Sequence, residues 1–126
     1  MHKIINTPQA PAPIGPYSQA TLAGNTLYVS GQIAIEPSSG ELLVNGTIEE
    51  ETEQVMKNLK AILTEAGTDF NSVVKCSIFV KNMGDFARIN EIYGRNFSEN
   101  PPARETVEVR ELPKGVNVEI SCIAIV

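Results

Sequence analysis

Apolar positions recur every three or four residues between 48 and 66, which predicts an amphipathic helix with one buried stripe. The sequence also predicts where this helix begins and ends, because Thr47 and Glu50 can form a capping box and Gly67 suits the position after the last turn. Negative charge is favourable at a helix N-terminus. We therefore interpret the acidic run at 49–51 as helix stabilisation, and a carboxylate metal site is the alternative.

The remaining segments divide into a second helix and five strands. A helical pattern covers residues 84–98, with Phe86 and Tyr93 among its inward positions and Gly94 as a weak point. Period-two alternation and intervening turn residues predict strands at 17–22, 26–33, 73–81, 104–110 and 117–125. The first sixteen residues contain four prolines, which predicts extended coil or edge structure. The isoleucines of that segment indicate that it packs against the rest of the chain.

The element order β-β-α-β-α-β-β predicts an α+β fold and a single domain over residues 1–126. Two helices are too few to cover both faces of the sheet, so both should lie on one face in a two-layer sandwich. The other face would carry Phe79, Ile123 and Ile125. An uncovered apolar sheet face usually binds a partner subunit, and we therefore predict a homo-oligomer.

Charge and composition argue against several classes of protein. Lys and Arg number 10 and Asp and Glu number 15, so the formal charge is −5, which argues against binding nucleic acid or anchoring to a membrane by basic residues. No apolar run could span a membrane and no secretory leader is visible, so we expect a cytoplasmic protein. His2 is the only histidine, and Cys76 and Cys122 lack metal-ligand spacing, so we expect no metal site.

Three polar features of the predicted strands could carry chemistry. Arg104 begins one strand, Glu119 lies on the polar face of the strand expected beside it, and Gly31 follows Ser30 in a third. A guanidinium binds a carboxylate through two hydrogen bonds, and a glutamate can deprotonate water. A glycine within a strand often marks a bulge or a close approach of the backbone. The alternative is structural, since Arg104 and Glu119 could pair across neighbouring strands and Tyr17 could be a packing residue.

Short motifs in the same order along the chain resemble those of the RidA/YjgF family, the reactive imine deaminases. The C-terminal motifs are Pro102-Ala103-Arg104, Val107, Leu112-Pro113-Lys114 and Val118-Glu119-Ile120. The N-terminal motifs are Ile14-Gly15-Pro16-Tyr17-Ser18-Gln19 and Ser30-Gly31-Gln32-Ile33. The middle motifs are Asn58-Leu59 with Gly67, and Val80-Lys81 with Asp85-Phe86. Each motif is weak alone, but together they cover nearly the whole chain.

This resemblance implies a chorismate-mutase-like fold and a homotrimer in which the sheets face inward and clefts form between subunits. It also implies hydrolysis of 2-iminobutanoate and 2-iminopropanoate to 2-keto acids and ammonia, with no metal and no organic cofactor. Arg104 would clamp the substrate carboxylate, and Glu119 would position the attacking water. The substrate-binding residues that the resemblance implies are Tyr17, Ser30, Gly31, Asn90 and Thr106, with backbone contacts at Gly31 and Thr106.

Three residues depart from the family pattern. Glu105 stands where a small or apolar residue is usual, and strand alternation should turn it away from Arg104. Thr106 replaces a frequent cysteine, and Ser121 replaces a frequent glutamate. The alternative function is a non-catalytic regulatory protein that binds small carboxylates in the same inter-subunit cleft. Some family members are described as ribonucleases, and the charge of −5 argues against that activity here.

Overall fold

The computed structural model describes residues 1–126 and contains six strands and two α-helices. Five of the strands and both helices correspond to the predicted elements, and a short strand near the N-terminus is added. The strands are β1 (Lys3–Ile5), β2 (Ala20–Ala23), β3 (Thr26–Gln32), β4 (Val73–Val80), β5 (Ala103–Glu108) and β6 (Val118–Ile125). The helices are α1 (Ile48–Ala66) and α2 (Phe86–Gly94).

Helix α1 occupies the predicted residues because both of its ends are capped. The side-chain oxygen of Thr47 accepts a hydrogen bond from the N–H of Glu50 at 3.2 Å, and Glu50 Oε1 accepts one from the N–H of Thr47 at 3.1 Å. Gly67 follows the helix with a φ of 85°, a left-handed conformation that favours glycine. The capping prediction is confirmed. Glu49 of the acidic run pairs with Arg88 at 2.8 Å.

Other predicted boundaries differ from the structure. Helix α2 is shorter than predicted, because a 3-10 turn at Met83–Asp85 precedes it and Gly94 is its last residue. The side chain of Asn82 caps that turn by accepting a backbone N–H at 2.8 Å. The proline-rich N-terminal segment contains the three-residue edge strand β1, in which Ile5 is buried. The prediction that this segment packs against the chain is confirmed for Ile5, whereas Ile4 and Ile14 are exposed.

The six strands form one mixed sheet in the order β1-β2-β3-β6-β4-β5, in which only β4 and β5 pair in parallel. The prediction that the strands of Arg104 and Glu119 are neighbours is therefore wrong. Helix α2 provides the crossover that parallel pairing of β4 and β5 requires, and β6 then returns between β3 and β4. Both helices pack on one face, so the predicted α+β architecture is confirmed.

The two faces of the sheet have different surroundings. The face beneath the helices contributes to the main core the residues Leu27, Val29, Cys76, Ile78, Val80, Val118, Ile120, Cys122 and Ala124. The opposite face, which we name the open face, carries Tyr28, Phe79, Val107, Ile123 and Ile125. Tyr28 is 49% exposed and Ile125 is 38% exposed, and neither helix covers them. The prediction that a partner subunit covers this face stays a prediction.

Neither helix has the length and apolar composition needed to cross a membrane.

Candidate functional site

Glu119 lies on the open face of β6, directly opposite Phe79 of β4. Its side chain is half-buried, and no residue of the chain forms a hydrogen bond or an ion pair with its carboxylate. Burial disfavours the charged form of a carboxyl group, so the pKa of Glu119 is raised above its usual value. A carboxylate with free oxygens in such a place can hold a water molecule and accept its proton.

The backbone of β3 approaches this carboxylate at Gly31. The register between β3 and β6 shifts between Val29 and Gln32, as it does at a β-bulge. A Cβ atom at position 31 would lie 2.5 Å from Glu119 Oε2, closer than a side-chain carbon can approach without displacing its neighbour. A side chain at position 31 would therefore displace the Glu119 carboxylate. The prediction of a bulge or a close backbone approach at Gly31 is confirmed.

Glu119 and Gly31 line a cavity of about 410 Å³ together with Tyr17 and Ser30, so the structure brings four of the predicted site residues together. We name this the Glu119 cavity. Ser30 is fixed there, because its Oγ donates to the carbonyl of Ser18 at 2.6 Å. Apolar walls are formed by Pro11, Ala12, Ile14, Ile33, Ile35 and Pro113. The cavity can therefore hold a small molecule that has one apolar side and one end near a carboxylate.

Gln19 supports one wall of the cavity, a role that the sequence did not reveal. Its side chain is almost fully buried, and its Nε2 donates to the carbonyls of Thr7, Ala10 and Pro11 at 3.0, 3.2 and 2.9 Å. Its Oε1 accepts the N–H of Thr7 at 2.7 Å. The prolines of this segment were the signal that could have found it, because proline lacks an N–H and leaves nearby carbonyls dependent on a side-chain donor.

Arg104 belongs to a second cluster, at the start of the edge strand β5. Its Nη1 donates to Asn90 Oδ1 at 2.6 Å, and its guanidinium carbon lies 5.1 Å from the ring centre of Tyr93 and 5.5 Å from that of Phe86. The aromatic rings attract the cation and hold it in place. Burial raises the pKa of Tyr93, so this ring stays neutral. No carboxylate of the chain forms an ion pair with Arg104.

Thr106 lies two residues further along the same face of β5. Its Oγ1 is buried and has no hydrogen-bond partner, which leaves one polar atom unsatisfied close to Arg104. We name Asn90, Arg104 and Thr106, with the rings of Phe86 and Tyr93, the Arg104 cluster. The spacing of the two aromatic residues in the second helix indicated burial alone. Their contact with the guanidinium depends on how α2 packs over β5, which helical periodicity does not reveal.

Arg104 and Glu119 lie far apart within one chain. Arg104 is in register with Cys76 on the face beneath the helices, whereas Glu119 lies on the open face. Strand β4 separates their two strands, and at ordinary strand spacings their Cα atoms are about 14 Å apart. The structural alternative, in which these two side chains pair with each other, is therefore excluded within the chain.

Glu105 points away from Arg104, as strand alternation predicts. It lies on the open face, where Glu105 Oε1 is 2.9 Å from Lys75 Nζ and its other oxygen accepts a hydrogen bond from Ser77 Oγ. The Ser77 hydroxyl and then Lys75 lower the pKa of Glu105. Ser121 of β6 lies opposite Ser77 on the same face. Glu105 is thus bound to Lys75 and Ser77, and it does not pair with the guanidinium of Arg104.

Comparisons with known proteins extend over nearly the whole chain. A family model described as Endoribonuclease L-PSP matches residues 7–126. A RutC family protein of Pyrococcus horikoshii is 52% identical over 124 residues, which are 98% of each chain. The 2-iminobutanoate/2-iminopropanoate deaminase of Mus musculus is 48% identical over 99% of this chain and 92% of its own. A crystal structure of a Rid family protein from Yersinia pestis has a TM-score of 0.97 at 47% identity, with all of both chains covered.

Proposed function

Since the chain belongs to the Endoribonuclease L-PSP family, also called RidA/YjgF, we propose that it hydrolyses reactive 2-imino acids to 2-keto acids and ammonia. The expected substrates are 2-iminobutanoate and 2-iminopropanoate. Relatives from mouse, human and rat carry this activity in their names, whereas others are named only as RutC family proteins. The observation that carries the proposal is a pair of groups left without an ionic partner. The Glu119 carboxylate has no partner in its cavity, and the guanidinium of the Arg104 cluster has no carboxylate partner.

Arg104 suits the carboxylate of a 2-imino acid. Its planar guanidinium can donate two parallel hydrogen bonds to a carboxylate, and the contacts with Asn90, Phe86 and Tyr93 fix its orientation beforehand. Binding the substrate at this end would place the imine carbon at a defined distance from the attacking water. Orientation of this kind can contribute several kcal/mol to catalysis.

The Glu119 carboxylate is suited to activate the attacking water molecule. In the proposed step, Glu119 takes one proton from water as the C–O bond forms, and the electron pair of the C=N bond moves to nitrogen. Glu119 then returns the proton to the nitrogen of the tetrahedral intermediate. The C–N bond breaks, and Glu119 takes the hydroxyl proton as the carbonyl of the 2-keto acid forms. Glu119 then passes this proton to the departing ammonia, which leaves as ammonium. A protonated imine is electrophilic by itself, so the chain's own residues suffice for this chemistry.

The two clusters can act on one substrate if they come from different subunits. We propose a homotrimer whose open faces turn inward, so that the Arg104 cluster of one subunit lies across a cleft from the Glu119 cavity of the next. Two observations support it: the clusters lie on opposite faces of one chain, and the open face carries exposed apolar residues. Each of the three clefts would then contain one complete site.

The test uses threonine dehydratase to generate 2-iminobutanoate in the presence of semicarbazide, which traps the imine. We expect the wild-type protein to divert imine to 2-ketobutanoate. Arg104→Ala should lower kcat/KM about 10²-fold or more by loss of substrate orientation, and Glu119→Gln should lower kcat by about 10²-fold to 10⁴-fold. The matched control is Arg88→Ala, which removes an exposed arginine of α2 that pairs with Glu49 and should keep the activity.

Undiminished turnover by Glu119→Gln would contradict the proposed role of that residue. A folded wild-type protein that binds 2-ketobutanoate but does not divert imine would instead support the non-catalytic, carboxylate-binding alternative. Calorimetric titration with 2-ketobutanoate measures that binding directly, and Arg104→Ala should weaken it in either case.

A further inference from the structure

Glu51 is a buried carboxylate that the proposed mechanism does not use. It lies on α1 and is only 1% exposed, although it belongs to the acidic run that was interpreted as helix stabilisation. Glu51 Oε2 accepts the backbone N–H of Asn117 at 2.7 Å and that of Val118 at 3.3 Å, and its Oε1 accepts Asn117 Nδ2 at 2.8 Å. No cation pairs with it, so backbone and amide donors alone compensate its burial.

These three hydrogen bonds end immediately before Glu119. Asn117 leads into β6 and Val118 is its first residue, so Glu51 fixes the backbone at the point where the strand begins. Strand alternation then points Val118 into the core and Glu119 into the cavity on the other face. A shift of this strand end would move the Glu119 carboxylate with it.

The same helix also holds the opposite wall of the Glu119 cavity. Asn58, two helical turns after Glu51, is fully buried and donates to the carbonyls of Ile33 and Ile35 at 3.1 and 3.0 Å. Its Oδ1 accepts a hydrogen bond from Gln54 at 2.9 Å, so the amide group is fully used. Ile33 and Ile35 follow Gly31 and line the cavity. Helix α1 therefore binds both the start of β6, which carries Glu119, and the segment at 33–35 that follows Gly31. The distance between these two segments determines how closely Glu119 contacts Gly31.

We propose that Glu51 is a positioning residue for Glu119: through Asn117 and Val118 it holds the start of β6 so that the Glu119 carboxylate rests against Gly31 in the cavity. The expected effect of Glu51 on turnover rests on the proposed function, whereas its effect on the position of the Glu119 carboxylate does not. A residue that only stabilised the fold would change the free energy of unfolding without changing the surroundings of the Glu119 carboxylate.

The surroundings of Glu119 can be measured directly. Burial is the only cause that raises its pKa, and no charged side chain of the chain contributes. If the start of β6 moves away from Gly31, the carboxylate gains water and its pKa falls toward the usual value of about 4.3. The guanidinium of a neighbouring subunit in the proposed trimer would lower the same pKa. The titrations are therefore compared in an Arg104→Ala background, where they report the position of Glu119.

Two substitutions distinguish the effect of the side-chain length of Glu51 from the effect of its charge. Glu51→Asp keeps the charge but is one methylene too short for the donors of Asn117 and Val118. Glu51→Gln keeps the length, because its carbonyl oxygen can accept both backbone N–H groups while the Asn117 amide turns its oxygen toward the new NH2. The matched control is Glu53→Asp, at a half-exposed position of the same helix that pairs with Arg95.

The experiment follows the carboxyl carbon of Glu119 by 13C NMR across pH, with Glu119→Gln to assign the signal, and measures kcat and KM for 2-iminobutanoate. We expect Glu51→Asp to lower the pKa of Glu119 and to lower kcat about 10²-fold, with KM nearly unchanged because Arg104 is untouched. Glu51→Gln and Glu53→Asp should stay close to wild type in both measurements.

Equal titration of Glu119 in wild type and Glu51→Asp would overturn the proposal, and so would a Glu51→Gln variant that behaves like Glu51→Asp. An inactive wild-type protein in which Glu51→Asp still shifts the titration would support the positioning of Glu119 by Glu51 and contradict the deaminase function. The two proposals therefore fail on different results.

Discussion

Glu119 and Gly31 depend on each other at the scale of single residues. The carboxylate can occupy its place only because position 31 has no Cβ, and it is half-buried there without a partner. A close approach of the backbone at this glycine was predicted from sequence, because glycine interrupts an otherwise apolar strand pattern there. What the glycine faces could not be predicted, because Glu119 lies in the last strand of the chain and only the sheet brings it there.

Gly31→Ala tests this dependence. The new Cβ would lie 2.5 Å from Glu119 Oε2, so the carboxylate must move, and we expect kcat to fall about 10²-fold. The control is Gly94→Ala at the last residue of α2, where a Cβ meets nothing within 4 Å, so we expect turnover to stay at the wild-type value. Wild-type turnover by Gly31→Ala would show that the contact is not needed for the reaction.

The raised pKa of Glu119 also predicts how stability depends on pH. Between the usual pKa of a glutamate and the higher pKa of folded Glu119, the folded state binds more protons than the unfolded state, so stability falls as pH rises. Glu119→Gln removes this loss. We expect the variant to gain stability relative to its parent as pH rises through that window, and the gain to vanish below about pH 4.

Urea unfolding at several pH values measures this difference. The comparison is made in an Arg104→Ala background, because in the proposed trimer the guanidinium of a neighbouring subunit would lower the same pKa. A difference between the two proteins that does not change with pH would contradict a raised pKa of Glu119.

At the scale of elements, α1 is the helix that organises the Glu119 cavity. Its ends follow from local sequence, because the capping box and Gly67 act within a few residues. The contacts of the polar residues on its buried side do not follow from local sequence. Glu51 and Asn58 bind backbone groups 66 and 25 positions away, and an amphipathic pattern treats both as surface residues. Polar residues within an apolar stripe were the signal that could have found them.

Thr47→Ala tests the contribution of the cap. It removes the acceptor for the N–H of Glu50, and we expect a loss of about 1 kcal/mol in the free energy of unfolding. Thr64→Ala, at an exposed position of the same helix, controls for the loss of a threonine elsewhere. If both variants unfold at the same urea concentration, the capping box does not stabilise α1.

At the scale of the whole molecule, the candidate site is divided. The Arg104 cluster and the Glu119 cavity lie on opposite faces of the sheet, and neither holds all the groups that hydrolysis of an imino acid requires. Point mutations alone cannot tell whether the two clusters act on one substrate. Mixing subunits can, because each cleft of the proposed trimer takes one cluster from each of two subunits.

Arg104→Ala and Glu119→Gln should therefore complement each other. We expect each variant alone to keep about 1% of wild-type activity or less. Trimers refolded from an equal mixture should regain about one quarter of wild-type activity, because both residues are intact in about one quarter of their clefts. Each variant refolded alone is the control. A mixture that remains inactive although mass spectrometry shows mixed trimers would contradict a site shared between subunits.

The sequence by itself determined the features that depend on neighbouring residues. Helix α1, the faces of β4, β5 and β6, the outward turn of Glu105 and the close backbone approach at Gly31 all follow from short-range periodicity and backbone sterics. Only the tertiary structure decided that β6 lies between β3 and β4, that Arg104 and Glu119 lie on opposite faces, and that Glu51 binds the start of β6. Strand order depends on how a connection crosses the sheet and on what the core can bury, and no local pattern contains that information.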